Sequence, residues 1–202
     1  MAQSLSVTIS DINKDLKKKE SQFAKAINAT TSDFGRRGQG WVSQEVRKVY
    51  GTDLKTIKST YKGFKKDGKI KVGGVKIDNI KLIYNGRLLT ITHFKMTPKV
   101  RPSGNRPYQV KAEIIKGAKK VVNKAFLAEG RGGATLAYRR VKASEGYKGK
   151  GEQYPSRYPI RPIKTVSVPQ MVSSKRTQPA IQKRIGEELR KRWEHNVSRF
   201  NK

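Results

Sequence analysis

Two histidines and a few scattered acids are the side chains of this sequence that could carry acid–base or metal chemistry. His93 falls on a predicted strand and His195 on a predicted C-terminal helix, and neither has the spacing of an H-x-H or H-E-x-x-H metal motif. A nuclease would need carboxylates that converge on Mg²⁺, and Asp78 and Glu113 are the candidates on predicted strands. Two separate carboxylates do not form such a cluster. The sequence therefore predicts a protein that is not an enzyme and that has no catalytic residues, no metal and no cofactor.

The glycine-rich stretch EGRGGA, residues 129–134, is the segment closest in composition to a phosphate-binding loop. It lacks the GK[ST] ending of that loop, and it lies between two predicted strands. A hairpin turn therefore explains it better.

The strongest chemical signal is positive charge. The chain has 202 residues, with 46 Lys and Arg against 15 Asp and Glu, which gives a formal net charge of +31. A compact monomer with this charge repels itself, so a neutralising partner is expected: nucleic acid, an acidic protein surface or an anionic membrane. No uncharged run approaches the roughly 20 residues of a membrane span, and we predict no membrane partner.

The cellular compartment is predicted from the absence of cysteine and from the order of residues at the N-terminus. Without cysteine there are no disulfides and no thiolate metal sites. The lysines of MAQSLSVTISDINKDLKKK follow the apolar residues, which is the reverse of a secretion signal. We therefore expect a cytoplasm-like compartment.

The sharpest basic patch is a predicted lysine ridge. Leu54, Ile57, Tyr61 and Phe64 form an apolar helical stripe opened by Thr52 or Asp53 as cap, and lysines stand one position further along at each turn. The ridge and the proline-rich loop 95–107 are candidate contacts to DNA or an acidic partner, although such a ridge can also be a solvated face. The candidate residues are Lys55, Lys58, Lys62, Lys65, Lys66, Lys99, Arg101 and Arg106.

The elements that must position these side chains follow from periodicity. An apolar seam predicts an N-terminal helix, which continues around Trp41 although glycines interrupt the pattern, and from Gly73 the period changes to two. Spacing of four from Ile181 to Val197, with Pro179 in the first turn, predicts a C-terminal amphipathic helix. The predicted elements are helices at 5–27, 41–50 and 54–64; strands at 80–84 and 88–94 joined by an Asn85-Gly86 hairpin turn, 108–115, and the pair 125–128 with 134–141; and the terminal helix.

We therefore predict an α+β protein: N-terminal helices, a mostly antiparallel sheet of four to five strands, a C-terminal amphipathic helix, and extended loops or arms. It is expected to be a single domain over residues 1–202. Within it, residues 1–72 are expected to be helical, residues 73–172 to form a strand meander with flexible loops 95–107 and 142–157, and residues 177–202 to form the terminal helix.

The stretch RYPIRPIKTVSVPQMV, residues 157–172, is predicted to be an extended edge segment, because its three prolines cannot donate to a sheet. It can be an arm stiffened for docking on a neighbouring subunit, or a strand that caps its own sheet. Both interpretations stay open at this point.

The order KAFLAEGRGGATLAYRRV…RYPIRPIKTVSVPQM resembles the minor tail protein Z family of lambda-like tailed bacteriophages and the wider group of phage tail-completion and head–tail joining proteins. In that pattern an Ala-Phe strand turns at a glycine-bearing hairpin and returns on a strand that ends in arginine; a loop and a basic R-x-P-I stretch then lead to S-x-P. AKAIN at 24–28 and the two basic helices also fit, so the similarity spans most of the chain. The departures are the absent glycine before Ser167 and the glycine-rich interruption at 35–40. The matching positions are Ala125-Phe126, Gly130 to Gly133, Arg139-Arg140, Tyr158-Pro159-Ile160 and Ser167-Val168-Pro169.

The resemblance implies a structural virion protein of the tail or neck, assembled in the host cytoplasm, that completes the head-proximal end of the tail and helps join it to the head. It implies a hexameric ring beside tail terminator, tail tube or neck proteins, with the end of the packaged DNA as a further candidate partner. Because a uniformly basic channel would retain DNA, we expect the charge to be divided between acidic neighbouring rings and the DNA end. Candidate subunit contacts are Tyr158, Pro159, Ile160, Pro162, Pro169, Ile185, Leu189 and Trp193.

Two other classes remain as alternatives. A sequence-tolerant nucleic-acid-binding protein, of ribosomal or DNA-architectural type, fits the charge equally well. However, the sequence has no RNA-recognition or helix-turn-helix pattern and places no aromatics in an evident base-stacking arrangement. A phosphodiester-cleaving enzyme is the third class, and incubation with Mg²⁺ and DNA tests it.

Overall fold

A computed structural model describes residues 9–72, 75–104, 107–130, 132–141 and 160–201, with side chains described from residue 18 onward except at 66–80. The predicted α+β class is confirmed, although the strands form three small sheets, ordered β1-β2, β3-β4-β5 and β6-β7-β8, in place of one sheet of four to five strands. The helices are α1 Ile9–Val49, α2 Leu54–Thr60, α3 Val168–Val172 and α4 Gln178–Phe200; the strands are β1 Tyr61–Val72, β2 Val75–Tyr84, β3 Lys95–Thr97, β4 Lys111–Glu113, β5 Lys119–Val121, β6 Ala125–Glu129, β7 Thr135–Arg140 and β8 Ile160–Pro162.

Backbone contacts divide the chain into two compact units. The first unit comprises Met1–Trp41, Lys62–Ile83 and Gln182–Lys202, and the second comprises Val42–Tyr61 and Tyr84–Ile181. The prediction of one tail-completion-like domain over the whole chain stays a prediction.

In the first unit, α1 packs against α4. The rings of Phe23 and Trp193 stack with their centroids 6.3 Å apart. Asn196 is 2% exposed, and its side-chain amide donates to Thr30 Oγ1 at 3.1 Å and to Asp33 Oδ2 at 3.4 Å. Because a buried amide without partners would be costly, these hydrogen bonds favour one register of the two helices.

Helix α1 runs unbroken for 41 residues through the glycines that weakened its prediction. A Cβ atom built at Gly35 would lie 2.6 Å from the ring of Phe64 on β1, and one built at Gly38 would lie 3.0 Å from Leu82 Cδ1 on β2. Each glycine costs about 1 kcal/mol of helix propensity relative to alanine. The close approach of the two strands explains why glycine nevertheless occupies these positions.

This packing predicts opposite effects of one substitution at two glycines of α1. Gly40→Ala is expected to raise the free energy of unfolding by about 1 kcal/mol, because no atom lies within 4 Å of the added Cβ and helix propensity improves. Gly35→Ala is expected to lower it by about 1 kcal/mol, because the Phe64 ring must shift. Urea unfolding followed by tryptophan fluorescence measures both. In a Phe64→Ala background Gly35→Ala should stabilise as Gly40→Ala does; equal gains at both sites in the wild-type background would contradict the packing.

The predicted helix from Leu54 to Phe64 is wrong in its second half, because α2 ends at Thr60 and Tyr61 begins β1. Gly63 has φ +103°, which is incompatible with a right-handed helix. The rings of Tyr61 and Tyr84 lie 5.4 Å apart at the base of the β1–β2 pair. The helical portion of the N-terminal region therefore ends at Thr60 and not at residue 72.

The Asn85-Gly86 hairpin prediction is also wrong. Strand β2 pairs with β1, which precedes it, and the segment from Leu88 to Phe94 forms no strand but contains a 3₁₀ turn at Ile91–His93. Leu89 pairs instead with the segment after β8: Thr165 N donates to Leu89 O at 2.7 Å. These long-range backbone bonds replace the local hairpin.

In the second unit, β3-β4-β5 and β6-β7-β8 are antiparallel sheets with a shared core. The predicted loop 95–107 begins with β3, the predicted strand 108–115 is ordered as β4 over three residues, and β5 was not predicted. The predicted pairing of 125–128 with 134–141 is confirmed as β6 with β7. The shared core consists of Ile91, Met96, Val110, Ala112, Leu127 and Ala137.

Candidate functional site

Helix α2 presents two of the predicted contact lysines. Lys55 and Lys58 are exposed, one turn apart, and they border a shallow depression with Leu54 and Ser59. The opposite side of the helix is anchored by Ile57, which is fully buried. The predicted cap is confirmed at Asp53, whose Oδ1 accepts from the backbone N of Thr56 at 2.6 Å.

The cap also has an electrostatic signature. Hydrogen bonds from Thr56 hold the pKa of Asp53 below its ordinary value, and the charges of His93 and Lys55 act in the same direction, against partial desolvation. The carboxylate thus stays ionised at the start of α2.

The lysine ridge does not continue along one helix as predicted. Lys62 and Lys65 are exposed on β1 in the first unit, whereas Lys55 and Lys58 belong to the second. The reason is that the backbone changes from helix to strand at Tyr61, so a spacing of three or four no longer keeps side chains on one face. Of the other candidates, Lys99 and Arg101 are exposed on the loop after β3, while the Lys66 side chain and Arg106 lie outside the described residues.

The candidate catalytic side chains do not converge where they are described. His93 is exposed, with Nδ1 3.3 Å from Thr56 Oγ1, and Glu113 Oε1 accepts from Gly117 N at 2.9 Å. His195 is exposed on α4, and the Asp78 side chain lies outside the described residues. No group of three or more His, Asp and Glu side chains that could hold a metal ion occurs among the described residues.

The proline-rich segment 157–172 divides into a strand and a helix. Ile160–Pro162 is β8, the edge strand of its own sheet, paired antiparallel with β7. Its second half is not extended as predicted: Ser167 caps α3 in a capping box with Gln170, and Pro169 lies in the first turn. Of the two interpretations, a strand on its own sheet therefore describes Ile160 and Pro162, while Tyr158 and Pro159 lie outside the described residues.

A cleft with three cations lies beside β8. We call it the arginine cleft; its volume is about 750 Å³, and Arg139, Arg161 and Lys164 line it with Ile160, Pro162 and Ile163. Arg139 on β7 lies directly opposite Arg161 on β8 in the strand register, and both are exposed. No acid is among its described lining residues.

The other face of the same sheet carries a row of rings, which we call the aromatic row: Phe126 on β6, Tyr138 on β7 and Pro162 on β8. Each is directly opposite the next in the register. The Phe126 and Tyr138 centroids are 6.1 Å apart with an interplanar angle of 27°, and Arg140 Cζ lies 5.7 Å from the Phe126 centroid. No member belongs to the core cluster formed by the described residues.

The terminal helix keeps its apolar stripe on its own chain. Ile181 is buried, and Ile185, Leu189 and Trp193 are half-buried. Trp193 contacts Phe23 of α1. These residues remain candidates for subunit contacts only through the surface that is left exposed.

The arginine cleft and the aromatic row were missed in the sequence. The β6–β7 pairing was predicted, but the register that sets Phe126 opposite Tyr138 was not assigned. Combining it with the alternation of strand side chains would have placed these rings together. Nothing local predicts that Arg161 pairs with Arg139, because residues 142–159 intervene.

Comparison of the chain with protein-family models, with curated proteins and with solved structures gives no match. Within the described ranges, no helix has the length and apolar character needed to cross a membrane.

Proposed function

We propose that this chain is a structural virion protein of a tailed bacteriophage, which completes the head-proximal end of the tail and helps join tail to head as a subunit of a hexameric ring. The supporting observation is that the segments carrying the resemblance come together in one sheet-and-helix unit. Strand β6 holds Ala125-Phe126, β7 ends at Arg139-Arg140, β8 begins at Ile160, and Ser167 caps α3.

Each of these motif positions has a structural role in that unit. The glycine-bearing turn closes the β6–β7 hairpin, where Gly133 has φ +74° and its backbone N donates to Gly130 O at 3.0 Å. The S-x-P signature is a helix N-cap followed by proline in the first turn, a position where the missing N–H has no cost. A pattern built from turn, strand end and cap is expected of a family that preserves a scaffold.

Exposed apolar and charged surface supports assembly. Ile160 is 43% exposed on edge strand β8, and the chain has a net charge of +31. A ring subunit needs two different surfaces that meet head to tail, and acidic neighbours or DNA would neutralise its charge.

Mass photometry of the purified chain, followed by electron microscopy, tests the proposal. The expected species has six times the 22.8 kDa mass of the chain and appears as closed rings. Ile160→Glu should shift it toward monomer, whereas Val100→Glu, at a residue 65% exposed on the loop after β3, should leave it unchanged. A monomer at every concentration and salt, or cleavage of DNA with Mg²⁺, would contradict the proposal.

A further inference from the structure

The arginine cleft brings together positive charges that nothing in the described chain neutralises. Arg139 and Arg161 face each other across the β7–β8 pair, and neither forms an ion pair with another described residue. Like charges directly opposite on a sheet are destabilising, and Lys164 adds a third cation. A bound anion would remove this repulsion.

The type of cation indicates the type of anion. A guanidinium presents a planar fork of donors that matches the oxygens of a phosphate, and two arginines with a lysine can contact successive phosphates of one strand. The apolar side chains of Ile160, Pro162 and Ile163 between them suit the less polar sugar and base.

The backbone that carries these side chains is held on both sides. Ile163 N donates to Ala137 O at 2.8 Å, Ile91 N donates to Ile163 O at 3.2 Å, and Thr90 forms a bridge with Lys164. A site on a paired backbone loses little conformational entropy on binding.

The aromatic row borders the cleft through β8. Pro162 lines the cleft and lies opposite Tyr138, which is stacked on Phe126, and Ile160 lies opposite Arg140. Both aromatic rings are half-buried and lie outside the core cluster of the described residues, so some of each ring stays accessible. Aromatic faces beside a basic groove are the arrangement by which proteins bind unpaired bases without sequence preference.

From this arrangement we propose that the arginine cleft and the aromatic row together form a binding site for single-stranded nucleic acid. Arg139, Arg161 and Lys164 contact the phosphates, and bases stack on Phe126 and Tyr138. A duplex keeps its bases paired inside the helix, so it cannot use the aromatic row. The site differs from the lysines of α2 and does not depend on the proposed virion role.

Fluorescence anisotropy with a labelled thymidine oligonucleotide of about 12 nucleotides, and with a duplex of the same length, tests the site. The variant Arg139→Gln/Arg161→Gln should bind the single strand about tenfold more weakly at moderate salt. Its log–log salt slope should fall by about 1.4, the value for two lost phosphate contacts on a single strand. Phe126→Leu should weaken single-strand binding about fivefold and leave duplex binding unchanged.

The matched control is Lys119→Gln/Lys120→Gln, which removes the same charge from exposed positions on β5 in the same unit. It should change affinity by less than about twofold. Equal losses in the two double variants, or an unchanged single-strand affinity in the arginine variant, would overturn the site. Loss of duplex binding in Phe126→Leu would overturn its assignment to single strands. Circular dichroism verifies that each variant is folded, and ring formation measured without nucleic acid reports separately on the virion proposal.

Discussion

Replacing Gly51 with alanine is expected to lower the free energy of unfolding by about 3 kcal/mol. The added Cβ would overlap the backbone oxygen of Glu113 on β4. Gly51 N donates to Ile114 O at 2.9 Å, and Lys116 N donates to Val49 O at 2.9 Å. Because the obstructing atom belongs to the backbone and the two segments are bonded on both sides of it, the clash cannot be relieved by rotating a side chain.

Thermal and urea unfolding, followed by far-ultraviolet circular dichroism, measure the effect of Gly51→Ala. The matched control is Gly132→Ala in the β6–β7 turn of the same unit, where nothing lies within 4 Å of the added Cβ. That variant should stay within about 0.5 kcal/mol of the wild-type protein. If Gly51→Ala unfolded at the wild-type midpoint, the end of α1 could not lie against β4 as described.

Replacing Trp193 with alanine is expected to lower the stability of the isolated chain by about 2 kcal/mol. The substitution removes the ring that stacks on Phe23 between α4 and α1, one turn before the buried Asn196. The prediction separates two roles of the α4 stripe: a residue serving only a neighbouring subunit would leave the isolated chain as stable as before and disturb ring formation alone.

A double-mutant cycle with Phe23→Ala isolates the contact, and its coupling energy should be about 1 kcal/mol. Trp41 remains as the fluorescent probe, since it is the other of the two tryptophans. His195→Ala, at an exposed position on the same helix, is the control and should change stability by less than about 0.5 kcal/mol. A coupling energy near zero would contradict the packing of α4 on α1.

The proposed nucleic-acid site changes how the charge of the chain is interpreted. The sequence drew attention to lysine density around α2, yet the structure divides those lysines between two units. The arginine cleft has fewer cations, but they come from adjacent strands, so their relative positions are set by backbone pairing. Pre-positioned charges contribute more to binding than flexible ones because less entropy is lost.

The amino-acid sequence alone determined the elements whose signals are local. Pro179 and the four-residue spacing after it predicted α4, the glycines from 130 to 133 predicted the β6–β7 turn, and Thr52 or Asp53 was predicted as the cap of α2. These signals act within one or two turns of chain, through fixed φ angles, capping hydrogen bonds and periodic burial.

Only the tertiary structure decided the features that depend on a distant partner. Helix propensity argues against a continuous α1, and the approach of Phe64 to Gly35 explains its continuation. The lysine spacing after Thr60 is compatible with a helix, but pairing with β2 makes it a strand. The opposition of Arg139 and Arg161 likewise arises from strand register across residues 142–159. Burial and pairing between distant segments outweigh local propensities of a few tenths of a kcal/mol per residue, and no local pattern encodes which segments meet.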